Sequence, residues 1–308
     1  MSDPKKALKL KIWGGAWDLP SVDPVCLSVL AYASFTKAPI TTVSTVSHEA
    51  ITGSLPELQT GDKMVYSDGL FSIIGILRRE GYNADYNLSQ KDQADTLAFL
   101  SYVDSALGPA IQHVLWMDNS NYLKATRPAY AKMFGFPQGL YYPKRMKNKI
   151  ENQVINSIGF EENRSSFDVE KILYKSAFEC IDILEKQLGN SKGPFFFGNK
   201  PTTLDAAVFG YLGILTKAPL TSNGIKNYLI SCENLKAHCA QIEKYLTKSN
   251  LIKKVIEKEK SENVVSPLKN KDTIITLGLG FSIMLAYAVY QGVFTSKRSI
   301  LAQKINNY

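Results

Sequence analysis

Few residues of this 308-residue chain are typed and spaced for chemistry. Its four cysteines, Cys26, Cys180, Cys232 and Cys239, include no C-x-x-C pair. The start of the chain alternates Leu and Lys and lacks an apolar run, so no secretory leader is expected. A reducing compartment follows, and disulfides are not expected. Cys232 and Cys239 are seven apart, on one face of a helix, and read as core packing. Only His48, His113 and His238 could join them, which makes no zinc constellation, so no metal site is expected. The basic run Pro143-Lys144-Arg145-Met146-Lys147-Asn148-Lys149 has no phosphate-loop glycines. It reads as a solvated helix start, with lipid headgroups as the alternative partner. Thr202 and Asp205 do form a pattern, but a structural one. Three residues apart, hydroxyl and carboxylate can each satisfy a free N–H at a helix start. No catalytic residue and no cofactor is expected.

The charge excludes one further class. The chain is formally +8, which invites a nucleic-acid reading. Residues 247–308, however, hold ten of the 36 basic and four of the 28 acidic residues, leaving the body with 26 against 24. The basic excess sits beside an apolar stretch, where it favours anionic headgroups, and no nucleic-acid partner is expected.

That stretch, Ile274 to Phe294, is uncharged and long enough as a helix to cross a hydrocarbon core of about 30 Å. Lys269, Lys271, Lys297 and Arg298 flank it, and Tyr287 and Tyr290 lie toward one end. The sequence predicts a transmembrane tail anchor with the body left in the cytosol. Moderate hydrophobicity (Thr276, Ser282 and Gln291 lie inside) and the basic flanks suit the mitochondrial outer membrane. Gly278, Ser282 and Ala286 recur at i, i+4, i+8, a small-residue face that lets helices approach closely.

The elements that must position the remaining candidates fall into two groups. Leu8, Leu10 and Ile12 alternate with polar or aromatic residues and predict a strand. Gly14-Gly15 breaks it, and Asp23-Pro24 opens a helix carrying Cys26, Val29, Leu30 and Ala33. Ile40 to Val46 predicts a second strand. Pro56 precedes a hairpin, Glu57–Thr60 and Lys63–Tyr66 around Gly61-Asp62, and Phe71, Ile74 and Leu77 mark another helix. After Tyr82 to Leu88 the pattern is helical only, from the Ser89/Asp92 capping box onward. One helix over 168–188 carries Val169, Ile172, Leu173, Ala177, Cys180, Ile181, Leu184 and Leu188 on its apolar face, with Gly189 as C-cap. Another follows Phe195-Phe196-Phe197-Gly198-Asn199-Lys200-Pro201-Thr202-Thr203-Leu204-Asp205. The fold class is α/β plus all-α. A thioredoxin-like domain spans 1–82 and an all-helical domain 83–247. A charged linker (248–273), the anchor (274–294) and a short basic tail (295–308) complete the chain.

This order resembles the glutathione-transferase architecture over roughly residues 7–247, most specifically in the Phe195–Leu212 segment. The resemblance implies that Pro56 is cis before the hairpin and that Thr202 and Asp205 serve folding. It also gives a test for glutathione. Transferases hold the γ-glutamyl end with an acidic-Ser pair; the matching residues here are Ser67-Asp68, a degenerate version. A carboxylate at that place repels an anion and offers no donor. Ser21 is the hydroxyl candidate for activating a thiol, and Asp18 and Asp23 beside it would raise a thiol's pKa where activation needs it lowered. Cys26 lies on the apolar stripe of the following helix.

Trp13 to Asp23, Tyr82-Asn83-Ala84-Asp85-Tyr86 with Ala94 to Ala98, and Phe195–Gly198 with Leu204-Asp205-Ala206 together resemble the metaxin family. The apolar tail resembles its anchored, metaxin-1-like branch. The resemblance implies a non-catalytic subunit on the cytosolic face of the mitochondrial outer membrane. It implies a second metaxin-like subunit and the β-barrel sorting and assembly machinery as partners, with motor adaptors for mitochondrial trafficking as a further class. The residues themselves leave two alternatives, a membrane-tethered glutathione-dependent enzyme and a trafficking adaptor. In a transferase-like body Trp13 and Trp17 are candidates for lining an inter-domain cleft that receives a partner, or else core residues.

Overall fold

A computed structural model describes residues 8–44, 55–61, 63–65, 69–159, 166–221, 224–249 and 271–290. The chain forms two compact units, 1–259 and 260–308.

In the first unit, β1 (Leu8–Ile12), β2 (Ile40–Ser44), β3 (Glu57–Thr60) and β4 (Lys63–Val65) make one sheet in the order β2-β1-β3-β4. The β1–β2 pair is parallel and the other two are antiparallel. Alternation places Leu8, Leu10 and Ile12 in the core and Lys9 outside, with Leu10 paired to Leu58 on β3. A parallel pair needs a crossover, and α1 (Pro24–Thr36) supplies it. Asp23 caps α1 by accepting the Cys26 N–H at 2.8 Å, and Pro24 sits where no N–H is needed. After the hairpin, α2 (Leu70–Arg79) buries Ile73, Ile74 and Leu77, whereas Phe71 is exposed. The peptide before Pro56 is cis, as is that before Pro137. The β-α-β then β-β-α order expected from the sequence is therefore present.

The helical part opens with α3 (Gln90–Gln112), capped by Ser89, whose hydroxyl accepts the Asp92 N–H at 3.2 Å. Two π-helical turns, His113–Met117 and Tyr122–Thr126, lead to α4 (Arg127–Phe134). Then come α5 (Tyr142–Ser157), α6 (Ser166–Gly189), α7 (Thr203–Lys217), α8 (Gly224–Ser231) and α9 (Glu233–Lys248). The stripe expected on α6 is buried except Ile172, which lies at its edge and faces solvent. Gly189 is the last residue of α6 instead of a cap beyond it. Cys232 and Cys239 are both buried, but Cys232 precedes α9 as its N-cap, so the two do not share one helix.

α7 is the axis of the unit. Every residue from Thr203 to Leu215 is buried, so the helix packs on all sides. α1 lies against it at Gly210. A Cβ there would stand 1.9 Å from Ser28 Oγ and 2.4 Å from the Pro24 carbonyl oxygen, so only glycine permits this approach.

The second unit contributes one described element, α10 (Lys271–Tyr290). Its side chains at Ile275, Leu279, Phe281, Ile283, Met284 and Tyr287 are exposed. The membrane-spanning helix expected over Ile274–Phe294, and the tail anchor with it, is not supported. Among the described residues no helix is long and apolar enough to cross a membrane. α10 opens on the charged pair Lys271-Asp272. Its uncharged part, 273–290, measures about 27 Å at the helical rise, short of a hydrocarbon core of about 30 Å. Residues 291–294 lie outside the described residues, as do the linker 250–270 and the tail beyond.

Candidate functional site

β1 ends at Ile12, and the chain turns through Trp13 to Asp23 before entering α1. This turn, with the start of α1 and Leu55, forms one wall of a cleft of about 460 Å³. α3 and α5 provide the opposite wall, through Asp104, Gln112, Met146, Lys149 and Ile150. Tyr211 of α7 closes the inner end.

Trp13 lines this cleft but is nearly buried. Its ring meets Tyr130 edge-on at 5.4 Å and Phe134 at 6.0 Å, and Tyr130 in turn lies 4.8 Å from Trp116. These aromatic pairs fasten the strand half to the helical half. Trp17 is not among the lining residues. It sits in the turn closed by the Leu19 N–H to Ala16 carbonyl bond, with φ of 59° beside Asp18 at 61°, the left-handed region. Of the two tryptophans expected as cleft-lining candidates or else core residues, Trp13 is a core residue that also borders the cleft, and Trp17 is partly buried against the core.

Burial raises the proton affinity of the ionisable groups around the turn. Ser21 is fully buried, and its Oγ accepts the Asp23 N–H at 3.3 Å. Cys26 is fully buried as well. Burial pushes its thiol well above the ordinary range, and the Asp23 charge adds to the effect. Tyr130 is raised by burial first and then by Asp23. Tyr211 donates to Asp104 at 2.6 Å and is raised by burial and that carboxylate. Desolvation also raises Asp23, against the lowering pull of the Cys26 and Val25 N–H groups. Activation of a thiol needs the opposite field, a cation or an open helix N-terminus. Ser67 and Asp68 lie outside the described residues. Among those described, no group of three or more His, Cys, Asp or Glu could hold a metal ion.

A second polar constellation lies at the start of α7. The Asp205 carboxylate is fully buried and accepts on both oxygens. Oδ1 takes the Phe196 N–H at 3.1 Å and meets His238 Nε2 at 2.8 Å. Oδ2 takes the Thr202 N–H at 2.8 Å and the Thr202 hydroxyl at 2.7 Å. One turn away, buried Asp85 accepts the Thr203 N–H at 2.9 Å and the Thr203 hydroxyl at 2.7 Å, and pairs with Arg78. Arg78 also donates to Thr203 Oγ1 at 3.0 Å. Tyr32 of α1 completes the join, donating to the Tyr82 carbonyl at 2.9 Å and accepting the Ala84 N–H at 3.2 Å. The Thr202/Asp205 pattern gave the local half of this arrangement. Asp85 and His238 joined it unannounced, from 118 and 33 residues away.

Two family models match the chain. Residues 26–147 match the outer mitochondrial membrane transport complex protein family, and residues 177–242 match the glutathione S-transferase C-terminal domain. Over 296 residues the chain is 36% identical to metaxin-1 of Bos taurus, covering 95% of this chain and 92% of that protein. The chain belongs to the metaxin family. It is also 37% identical over 236 residues to metaxin-3 of Xenopus laevis, covering 76% and 75% of the two chains.

Solved structures show the same fold at low identity. A glutathione S-transferase of Ceriporiopsis subvermispora in complex with glutathione has a TM-score of 0.54 and 13% identity, covering 78% of this chain and 97% of that one. A glutathione transferase of Phanerochaete chrysosporium has a TM-score of 0.52 and 13% identity, covering 79% and 98%. The fold is that of a glutathione transferase, while the turn facing the cleft carries a half-buried Asp23 beside the buried Ser21 and Cys26.

Proposed function

We propose that the chain is a non-catalytic subunit of a protein-transport complex of the mitochondrial outer membrane, working through protein contacts with its body in the cytosol. Membership of the metaxin family, together with the match of residues 26–147 to an outer-membrane transport-complex family, carries this reading. The cleft supports it: the hydroxyl and thiol nearest the first turn are buried, and burial and Asp23 push Cys26 away from a thiolate. We assign to the complex a second metaxin-like subunit and the machinery that inserts β-barrel proteins.

Isolation of native complexes from gently solubilised mitochondria tests the reading. The full chain and a chain ending before Ile274 are compared. An outer-membrane β-barrel and a second transferase-like subunit are expected to copurify with the full chain. Motor adaptors alone would replace the transport role with one in trafficking. An unpartnered chain that is retained on glutathione resin would return the protein to the enzymes.

A further inference from the structure

Between Asn119 and Ile150 the chain carries seven basic residues and no acidic one. The rest of the body through Leu246 is net acidic, with 19 basic residues left of 26 against 24 acidic. The fold gives this run a shape. Leu123, from the second π-helical turn, and Phe136 and Leu140, from the connection between α4 and α5, share a shallow apolar groove with Arg127. These side chains project: Leu123 is 55% exposed, Phe136 69%, Leu140 63% and the neighbouring Tyr141 52%. Tyr141 is held 4.4 Å from Tyr142, which stacks on Phe134 at 5.1 Å, so the projecting edge rests on a packed base. Lys124, Lys132, Lys144 and Arg145 are exposed on the segments that carry these tips. None of the four, nor Arg127, has an ion-pair partner among the described residues. Lys147 is different: it is buried, donating to Asn119 Oδ1 at 3.0 Å over the Tyr122 ring.

We propose that this face of the body, Leu123, Phe136, Leu140 and Tyr141 within their basic fringe, rests on a lipid surface bearing anionic headgroups. Apolar and aromatic tips of this size enter the boundary between headgroups and acyl chains, and Lys and Arg beside them meet lipid phosphates. The choice of cation favours lipid over a protein partner. Three of the five fringe residues are lysines, which protein interfaces deplete and which reach headgroups readily on long stems. The contact is made by residues of the first unit. It takes its setting from the membrane location proposed above, but it is measured on lipid without any import component.

The cysteines make a direct test possible. All four are buried, so one added on the surface is the accessible thiol for an environment-sensitive fluorophore. The full chain carrying Leu140→Cys, so labelled, is mixed with vesicles of phosphatidylcholine alone or with roughly a third of an anionic phospholipid. A chain labelled at Ile230→Cys, exposed on α8, reports another face. The Leu140 label is expected to shift to an apolar signal on anionic vesicles and to return toward water in high salt, while the Ile230 label stays unchanged. Lys132→Glu with Arg145→Glu should lower that salt-sensitive partitioning by about 25-fold or more, at roughly fivefold per cation lost. A water-like Leu140 label on anionic vesicles that have bound the chain would overturn the proposal. So would a shift that appears only when a protein partner is added. Failure of the copurification above would leave this outcome untouched.

Discussion

The start of α7 buries its carboxylates, Asp85 and Asp205, while the first turn beside the cleft leaves Asp23 half-buried, and the two places treat them in opposite ways. At α7, Asp205 and Asp85 together accept the Phe196, Thr202 and Thr203 N–H groups, both threonine hydroxyls, His238 and Arg78. At the turn, Asp23 caps α1 but sits among Ser21, Cys26 and Tyr130, with no cation among its named neighbours and with its proton affinity raised by burial. The charge that this fold can spare for a buried site is invested where helix, strand half and helical half meet. The place where a transferase would work on a thiol is left without an activating field. A shared architecture therefore says little about chemistry until the charges are located.

The largest expected effect tests the first half of the contrast. Asp205→Ala strips partners from two N–H groups and a buried histidine at once. It should cost about 3–5 kcal/mol, as breaking a buried charged network does. Urea unfolding of the two chains reads it directly; a loss below about 1 kcal/mol would mean that the cap is ornamental. Asp85→Ala should cost less, about 2 kcal/mol, because Arg78 is partly exposed and can turn to water while only the Thr203 groups are stranded. A loss equal to that of Asp205→Ala would make the two carboxylates one network.

The smallest effect sharpens the second half. Burial raises Asp23 above its ordinary value of 3.8. Between that value and its folded value the native state holds more protons than the unfolded one, so this residue's contribution to stability falls as pH rises through the window and then levels off. Asn keeps the cap without the charge. Asp23→Asn should therefore change stability by less than about 1 kcal/mol at neutral pH, with its advantage over the parent growing from pH 4 upward. An advantage that shrinks with rising pH would show that the Asp23 charge is welcomed.

What could be read in the sequence was local. Asp23-Pro24, Ser89 with Asp92, and Thr202 with Asp205 each close within four residues, and all three sit at helix starts. The strand alternation of Leu8, Leu10 and Ile12 was equally legible, because a period of two survives any partner. Asp85 was visible only as part of a family-like string, since nothing in its surroundings points to Thr203. His238 gave no signal at all. Ile172 fell inside the apparent stripe of α6 yet faces out, because periodicity shows a face but not how wide a neighbour will cover it. Trp13 and Trp17, four apart in a turn, gave no sign of which would border the cleft; only Trp13 does, and Trp17, with left-handed backbone, packs partly buried against the core. The apolar tail was read from length, and length is what α10 lacks among the described residues.

The clasp between Asp85 and Thr203 has a consequence for synthesis. Its two halves are 118 residues apart. A ribosome needs roughly 6 to 24 s to add that much chain. During that interval the strand half is already made, while Asp85 and Arg78 wait for an α7 that does not yet exist. Without α7, α1 also lacks the helix that Gly210 lets it press against. The first third of the protein thus stays unfinished until the last third appears. A truncated product would present an open face and an unanswered pair of charges, marks by which chaperones and proteases can tell it from the completed chain.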